Sequence, residues 1–331
     1  MYRLVSFFGE RLPLFEELNL KAEEYARSKS IEYVWSPQTP YDVEEVVAQL
    51  KRADAGLIDV EPYDENIFGK LTDQCKLLVR FGVGFDKVDL KSASSHGICI
   101  TRTTGANKTG VAEMALMQML AVGRQVMINR KTVNSGVWVK NIGSELIGKK
   151  VGILGFGNIG VELARLLSGF SCEIVAYDIF QNEEAAKALN VRFTDLNEIF
   201  TTCDAISVHL PYNAKTDHLM NAEVFNKMKS NAILVCTARG KIIDEADLYE
   251  ALKNHTIAGA GLDVYAAEPL PKESKLTELD NIILTPHVSS QTYESLWYTY
   301  KKAIDIVADF FAGKELGKSD LLNPDYVNNK R

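Results

Sequence analysis

Val151-Gly152-Ile153-Leu154-Gly155-Phe156-Gly157-Asn158-Ile159-Gly160 reads as an apolar strand, a G-x-G-x-x-G turn and the first turn of a helix. Each glycine has its own task. Gly155 makes the tight turn, Gly157 lets backbone approach a pyrophosphate, and Gly160 lets helix pack closely on strand. The helix start at Asn158 and Ile159 offers free N–H groups and a positive dipole end to phosphates. The helix continues with an apolar stripe at Leu163, Leu166 and Leu167. The next apolar run, Ile174-Val175-Ala176-Tyr177, ends in Asp178. An acid there accepts hydrogen bonds from ribose hydroxyls and repels a 2′-phosphate. Ile179, Phe180 and Gln181 supply no arginine to hold one, so the expected cofactor is NAD rather than NADP.

Working outward, short apolar runs alternate with amphipathic stretches on both sides, the pattern of parallel α/β folds. Upstream, strands are expected at Arg3–Phe8, Ile31–Trp35, Gly56–Val60, Leu77–Arg80 and Ile98–Thr101. The helices between them are expected at Leu14–Ser28, Val43–Arg52, Asp64–Asp73 and Val88–Ser95. From Asn107 to Asn134 the sequence predicts one long methionine-rich helix, apolar on much of its surface. Such a helix is a core element and a candidate homodimer seam. Downstream, strands are expected at Lys150–Leu154, Glu173–Tyr177, Ala205–Val208, Ala232–Cys236, Ile257–Leu262 and Ile282–Leu284. A final helix over Ser289 to Gly313 is expected to pack back on the first unit. The domains are then 1–103 with 287–331, and 104–286. The polar stretch Leu322–Arg331 is expected to be mobile.

The chain has 331 residues, 46% hydrophobic and 24% charged, with a formal net charge of −7. That balance is globular and argues against nucleic acid or an anionic membrane as partner. No apolar run reaches the roughly 20 residues of a membrane span, and the N-terminus reads as a strand rather than a leader. Cys75, Cys99, Cys172, Cys203 and Cys236 are scattered, without a CxxC pair. They read as reduced thiols of a cytoplasmic protein, not as a metal site.

Three late segments each end a strand in a chemically useful side chain, where open α/β sheets bind ligands. Arg239 follows Ile233-Leu234-Val235-Cys236-Thr237-Ala238, and its planar guanidinium suits a carboxylate. Asp263 closes Gly261-Leu262, with Glu268 following in a loop before Pro269. His287 follows Thr285-Pro286. In the order G-x-G-x-x-G, Asp178, T-A-R-G, D-V-x-x-x-E-P and T-P-H, the chain resembles the D-isomer-specific 2-hydroxyacid dehydrogenases. Further matching stretches are Arg80-Phe81-Gly82-Val83-Gly84-Phe85-Asp86-Lys87-Val88-Asp89, Thr104-Gly105-Ala106-Asn107 with Val111-Ala112-Glu113, Asp195-Leu196-Asn197-Glu198-Ile199, and Val208-His209-Leu210-Pro211.

The resemblance implies a Rossmann-type NAD-binding domain and a flavodoxin-like substrate domain with the active site in the cleft between them. It implies that the chain interconverts a small 2-hydroxy acid and its 2-oxo acid by hydride transfer. Arg239, Glu268 and His287 would be catalytic, with His287 as general acid and base and Glu268 favouring its imidazolium form. The backbone N–H groups of Val83 and Gly84 would hold the substrate carboxylate together with Arg239. The resemblance extends the cofactor set to His209, Pro211, Thr216, Thr237, Ala238, Asp263 and His287.

Departures from the family pattern bear on the substrate. Phosphoglycerate members usually carry an R-S-x-T-like stretch where this chain reads Asp59-Val60-Glu61-Pro62-Tyr63. Acids there repel a dianion, which points to a polar, non-phosphorylated 2-oxo acid, with Glu61 meeting a hydroxyl or ammonium. Cys236 stands where Asn is common, and Lys108, Thr109 and Gly110 stand where small apolar residues are. No regulatory domain is expected after the last helix. The alternatives left open are a phosphoglycerate dehydrogenase proper, a phosphite-type dehydrogenase and an NAD-sensing corepressor. The acid at Glu268 argues against a formate enzyme, which places Gln there.

Overall fold

The computed structural model describes residues 1–71 and 73–329; Thr72, Lys330 and Arg331 lie outside the described residues. The chain divides into two compact units, Met1–Asn107 with Thr292–Arg331, and Lys108–Gln291.

Unit 1 alternates β1 (Tyr2–Ser6), α1 (Pro13–Ser28), β2 (Ile31–Trp35), α2 (Val43–Leu50), β3 (Ala55–Ile58), α3 (Glu65–Phe68), β4 (Leu77–Arg80), α4 (Leu90–Ser95) and β5 (Cys99–Arg102). The sheet is parallel in the order β2-β1-β3-β4-β5, the flavodoxin-like order. Every residue of β3 and β4 is buried, as strands covered on both faces must be. Aspartates cap the short helices: Asp42 accepts from the amides of Glu44 and Glu45, and Asp89 from those of Lys91 and Ser92.

Unit 2 begins with α5 (Lys108–Gly123) and α6 (Val126–Asn134). It continues through β6 (Lys150–Leu154), α7 (Asn158–Leu167), β7 (Glu173–Tyr177), α8 (Glu183–Ala188), β8 (Val191–Phe193), α9 (Leu196–Thr202) and β9 (Ala205–Val208). It closes with α10 (Ala222–Lys227), β10 (Ile233–Cys236), α11 (Glu245–Lys253), β11 (Gly259–Leu262) and β12 (Ile282–Leu284). Its parallel sheet runs β12-β11-β10-β9-β6-β7-β8. The order reverses between β6 and β9, the Rossmann arrangement, so that the crevice for a dinucleotide lies off the ends of those strands. The last helix, α12 (Tyr293–Phe311), belongs to unit 1, where it packs on α1 and β4.

Three expectations need correction. The stretch 107–134 is two helices bent by 59°, not one. Gln125 takes a left-handed conformation (φ 52°), and the returning amide of Ser144 donates to the Gly123 carbonyl at 2.8 Å, so the ladder ends there. No single helix among the described residues is long and apolar enough to cross a membrane; the bent pair passes by length and composition only. The helix expected over Asp64–Asp73 is one short turn, Glu65–Phe68, followed by Gly69; Thr72 of that stretch lies outside the described residues.

The tail is anchored rather than loose as far as it is described. Asn323 is buried, accepts from the Ile100 amide (2.7 Å) and donates to the Ile98 carbonyl (2.9 Å). Tyr326 joins the core beneath α12. Lys330 and Arg331 of that tail lie outside the described residues. The short edge strand β8 was not legible: Val191-Arg192-Phe193 has only two apolar positions.

Candidate functional site

The glycine turn between β6 and α7 is shaped by close approaches. Gly155 has φ +97°, and a Cβ there would lie 2.8 Å from the His209 backbone. A Cβ on Gly160 would lie 2.2 Å from the Gly155 carbonyl oxygen, so any side chain would push helix off strand. A Cβ on Gly157 would meet nothing within 4 Å, which leaves open space in front of the helix start. Gly157 is the N-cap of α7 and brings no side chain to that end. The amides of Asn158 and Ile159 therefore face a cradle that suits a pyrophosphate. Asp178, at the end of β7, accepts from the Phe156 amide (2.7 Å) and the Phe180 amide (2.9 Å). The carboxylate braces the glycine turn and keeps further lone pairs for hydroxyl donors. These residues fit NAD.

The strand ends that follow carry the rest of the expected cofactor set. His209 comes just after β9, its ring between the hydroxyls of Ser207 (2.9 Å) and Thr237 (3.4 Å). Burial pulls its pKa down to about 4, so the ring is neutral at physiological pH. Pro211 is exposed, and Thr216 donates from its hydroxyl to the Pro211 carbonyl at 2.8 Å. Thr237 and Ala238 lead from β10 to Arg239, whose Nη1 donates to the Ala238 carbonyl at 2.6 Å. A Cβ on Gly240 would lie 1.8 Å from the Tyr265 carbonyl carbon. Only glycine lets the Arg239 turn press against the loop that carries Glu268.

His287 and Glu268 meet directly: Nδ1 lies 2.8 Å from Oε2. The other carboxylate oxygen, Oε1, accepts from the Tyr265 amide at 3.0 Å, which fixes the side chain from behind. An ionised carboxylate can only accept, so with Glu268 ionised the bond places a proton on Nδ1 and leaves Nε2 uncommitted. Both side chains are substantially exposed, 47% and 38%.

Asp263, expected among the cofactor contacts, is held inside the protein. It is fully buried, and its carboxylate is bonded within its own chain. Oδ1 accepts from the Thr285 hydroxyl (2.5 Å) and the Val288 amide (2.9 Å). Oδ2 accepts from the Ser289 amide (2.8 Å) and the Ser289 hydroxyl. The His287 amide in turn donates to the Asp263 carbonyl at 2.9 Å. His287 thus rides on a loop clamped from both sides by one aspartate, with φ 53° at the histidine itself. Gln118 on α5 donates to the Thr285 hydroxyl at 3.3 Å, extending the clamp into the core. Sequence reasoning missed Gln118, Thr285 and Ser289. The available signal was a lone Gln in the otherwise apolar run Ala115-Leu116-Met117-Gln118-Met119-Leu120.

In unit 1, Val83 and Gly84 follow β4. The Gly82 amide donates to the Thr103 hydroxyl at 2.7 Å, and the Thr103 amide returns a bond to the Gly82 carbonyl at 3.0 Å. Arg102 Nη1 reaches the Val83 carbonyl at 3.4 Å. The end of β5 therefore holds this loop in place. Among the described residues no group of three or more His, Cys, Asp or Glu side chains could hold a metal ion.

Comparison with known proteins identifies the family and the fold. The family described as D-isomer specific 2-hydroxyacid dehydrogenase, NAD binding domain, matches residues 116–289. A glyoxylate reductase of Korarchaeum cryptofilum is 32% identical over 303 residues, covering 89% of each chain. A hydroxypyruvate reductase of Thermotoga maritima is 39% identical over 246 residues, 73% of this chain and 78% of its own. Among solved structures, the apo D-lactate dehydrogenase of Escherichia coli superposes with a TM-score of 0.81 at 26% identity. The match covers 97% of this chain and 100% of that one.

Proposed function

The chain belongs to the D-isomer-specific 2-hydroxyacid dehydrogenases, and on that premise we propose that His287, Glu268 and Arg239 are the groups with which it reduces a small 2-oxo acid. It is an NAD-dependent oxidoreductase. The observation that carries the residue assignment is the His287–Glu268 contact at 2.8 Å on a loop that Asp263 clamps. NAD supplies the hydride chemistry; the chain must manage the charge and the proton. As the carbonyl carbon gains a hydride, its oxygen becomes basic. Nε2 of His287, left free by the Nδ1 bond, delivers the proton there. Glu268 stabilises the imidazolium that donates it. Arg239 pairs with the substrate carboxylate through its planar donors and polarises the carbonyl. The backbone N–H groups of Val83 and Gly84 are assigned to the same carboxylate.

The test is a panel of glyoxylate, hydroxypyruvate, pyruvate and bulkier 2-oxo acids, followed by loss of NADH absorbance. We expect turnover of at least one, with NADH favoured over NADPH by at least about 10-fold, because Asp178 repels a 2′-phosphate. Absence of turnover across the panel removes the reaction; equal efficiency with NADPH removes the role of Asp178.

The same reading includes a homodimer through α5 and α6. An open groove of about 420 Å³ runs along α5, lined by Leu116, Met117, Leu120, Ala121 and Val126 with Glu113 and Arg124. Beyond it Trp138 is 83% and Ile142 91% exposed. A soluble chain gains by covering such a face, and an isologous partner offers the same face back. Light scattering is expected to give two chains' mass for the native protein and one for Met117→Arg; an unchanged mass for the variant would place the seam elsewhere. The five free cysteines, four of them buried, fit the reducing cytoplasm to which we assign the protein.

A further inference from the structure

β12 is the edge strand of the unit 2 sheet, and the loop that carries His287 leaves from its end. With β11 on one side only, that loop needs restraints from off the plane of the sheet. Helix α5 supplies one. It lies across β10, β11 and β12 and is seated on the two glycines of β11. A Cβ on Gly259 would lie 2.6 Å from Val122 Cγ1, and one on Gly261 2.7 Å from Gln118 Cβ. Gln118 and Val122 are one helical turn apart, and Gly259 and Gly261 share a strand face. A ridge of the helix therefore fills a trough in the strand.

Gln118 is fully buried, in an otherwise apolar stretch of α5. Its Nε2 donates to the Thr285 hydroxyl at 3.3 Å. That hydroxyl has one proton to give and two acceptors within reach, Asp263 Oδ1 at 2.5 Å and the Leu262 carbonyl at 3.4 Å. Accepting from Gln118 fixes the oxygen's lone pairs and commits its proton to the nearer acceptor, Asp263. The chain of bonds is directional. Turning the amide over would bring a second acceptor to Thr285, and one proton cannot serve both. Oε1 of the same amide is buried without a hydrogen-bond partner. An unsatisfied buried carbonyl costs stability, and a bond as long as 3.3 Å offsets little of it. An apolar side chain of the same length would suit the packing of α5 better. A polar group kept against stability points to a task at the site.

We propose that Gln118 is a positioning residue for the reaction: from α5 it fixes the Thr285 hydroxyl on Asp263, and through that clamp it sets the loop that presents His287. The inference rests on the proposed role of His287 in proton transfer. Without the Gln118 donor, the Thr285 hydroxyl is free to turn to the Leu262 carbonyl. Oδ1 of Asp263 then keeps only the Val288 amide, beside the histidine. Proton transfer is sensitive to small displacements, and about 1 Å of misplacement can cost about 100-fold. The relay runs through Thr285 and Asp263 and does not touch the glycine turn at Gly157, so cofactor binding is left alone.

Gln118→Met tests this, because it keeps the length and removes the donor and the unsatisfied oxygen together. With the native enzyme's best 2-oxo acid, kcat is expected to fall about 10-fold, with KM for NADH unchanged and Tm at or above native. Gln118→Leu repeats the test with a second apolar shape. Thr285→Val cuts the relay one step on, so Gln118→Met added to it should lower kcat no further. Thr285→Ser, which keeps the oxygen, should lose less than Thr285→Val. Native kcat in both Gln118 variants overturns the inference. So does a loss that comes with a lowered Tm and multiplies with that of Thr285→Val, which marks a residue that only packs. Both results leave the histidine's role standing. His287→Ala with native kcat, or a native enzyme that turns over no 2-oxo acid, removes that role and this inference with it.

Discussion

His287→Ala is expected to lose about 10²–10⁴-fold in kcat for 2-oxo acid reduction at neutral pH, the usual contribution of a positioned acid. The argument is geometric before it is chemical. Nδ1 is committed to Glu268 at 2.8 Å, so one ring edge is fixed and the other is free to meet an oxygen. Nothing else in the clamped loop can replace it: Thr285 and Ser289 spend their hydroxyls on Asp263. A control separates chemistry from conformation. The histidine sits at φ 53°, a region that costs a plain side chain energy but which asparagine tolerates. His287→Asn should therefore fold like the native protein and still lack the proton. If both variants show low kcat with unchanged KM for NADH, the histidine acts on the chemical step. Native-like kcat in either one removes it from proton transfer.

Most of the architecture was legible because parallel strands buried on both faces are short apolar runs, and such runs stand out. Ile31–Trp35, Leu77–Arg80, Lys150–Leu154, Glu173–Tyr177, Ala205–Val208 and Ile282–Leu284 were read with the bounds the structure gives. The misses share a cause. Whether 107–134 is one helix or two depends on Ser144, which returns from beyond the helix to take the Gly123 carbonyl. Whether the tail is loose depends on Asn323 reaching β5. Neither contact leaves a trace in local periodicity, although Gly123 was a visible warning.

The site was legible in a different way. A guanidinium, a carboxylate and an imidazole at successive strand ends are recognisable one by one. The bond between Glu268 and His287 follows from two loops whose separation the sequence does not state. The role of Asp263 was the least legible. A strand-ending aspartate reads equally well as a ligand contact or as a structural clamp. Only the partners Thr285, Val288 and Ser289 show what it bonds to.

That clamp supports the second large effect. Asp263→Ala removes the acceptor of four hydrogen bonds inside the protein and leaves two backbone amides and two hydroxyls to find others. Each unsatisfied buried donor costs about 1–3 kcal/mol. The hydroxyls can turn elsewhere but the amides of Val288 and Ser289 cannot, so a total of about 3–5 kcal/mol is expected. For a unit of this size that lowers Tm by about 10 °C. Asp263→Asn should lose less. Its remaining oxygen still serves Thr285 and Val288, the Ser289 hydroxyl can reverse to accept, and only the Ser289 amide is stranded. Activity distinguishes the clamp from a direct nicotinamide contact. A loosened loop misplaces the imidazole, so kcat of Asp263→Asn should fall while KM for NADH stays near native. A rise confined to KM for NADH would instead make the aspartate a cofactor contact, and a native Tm for Asp263→Ala would mean that the loop holds itself.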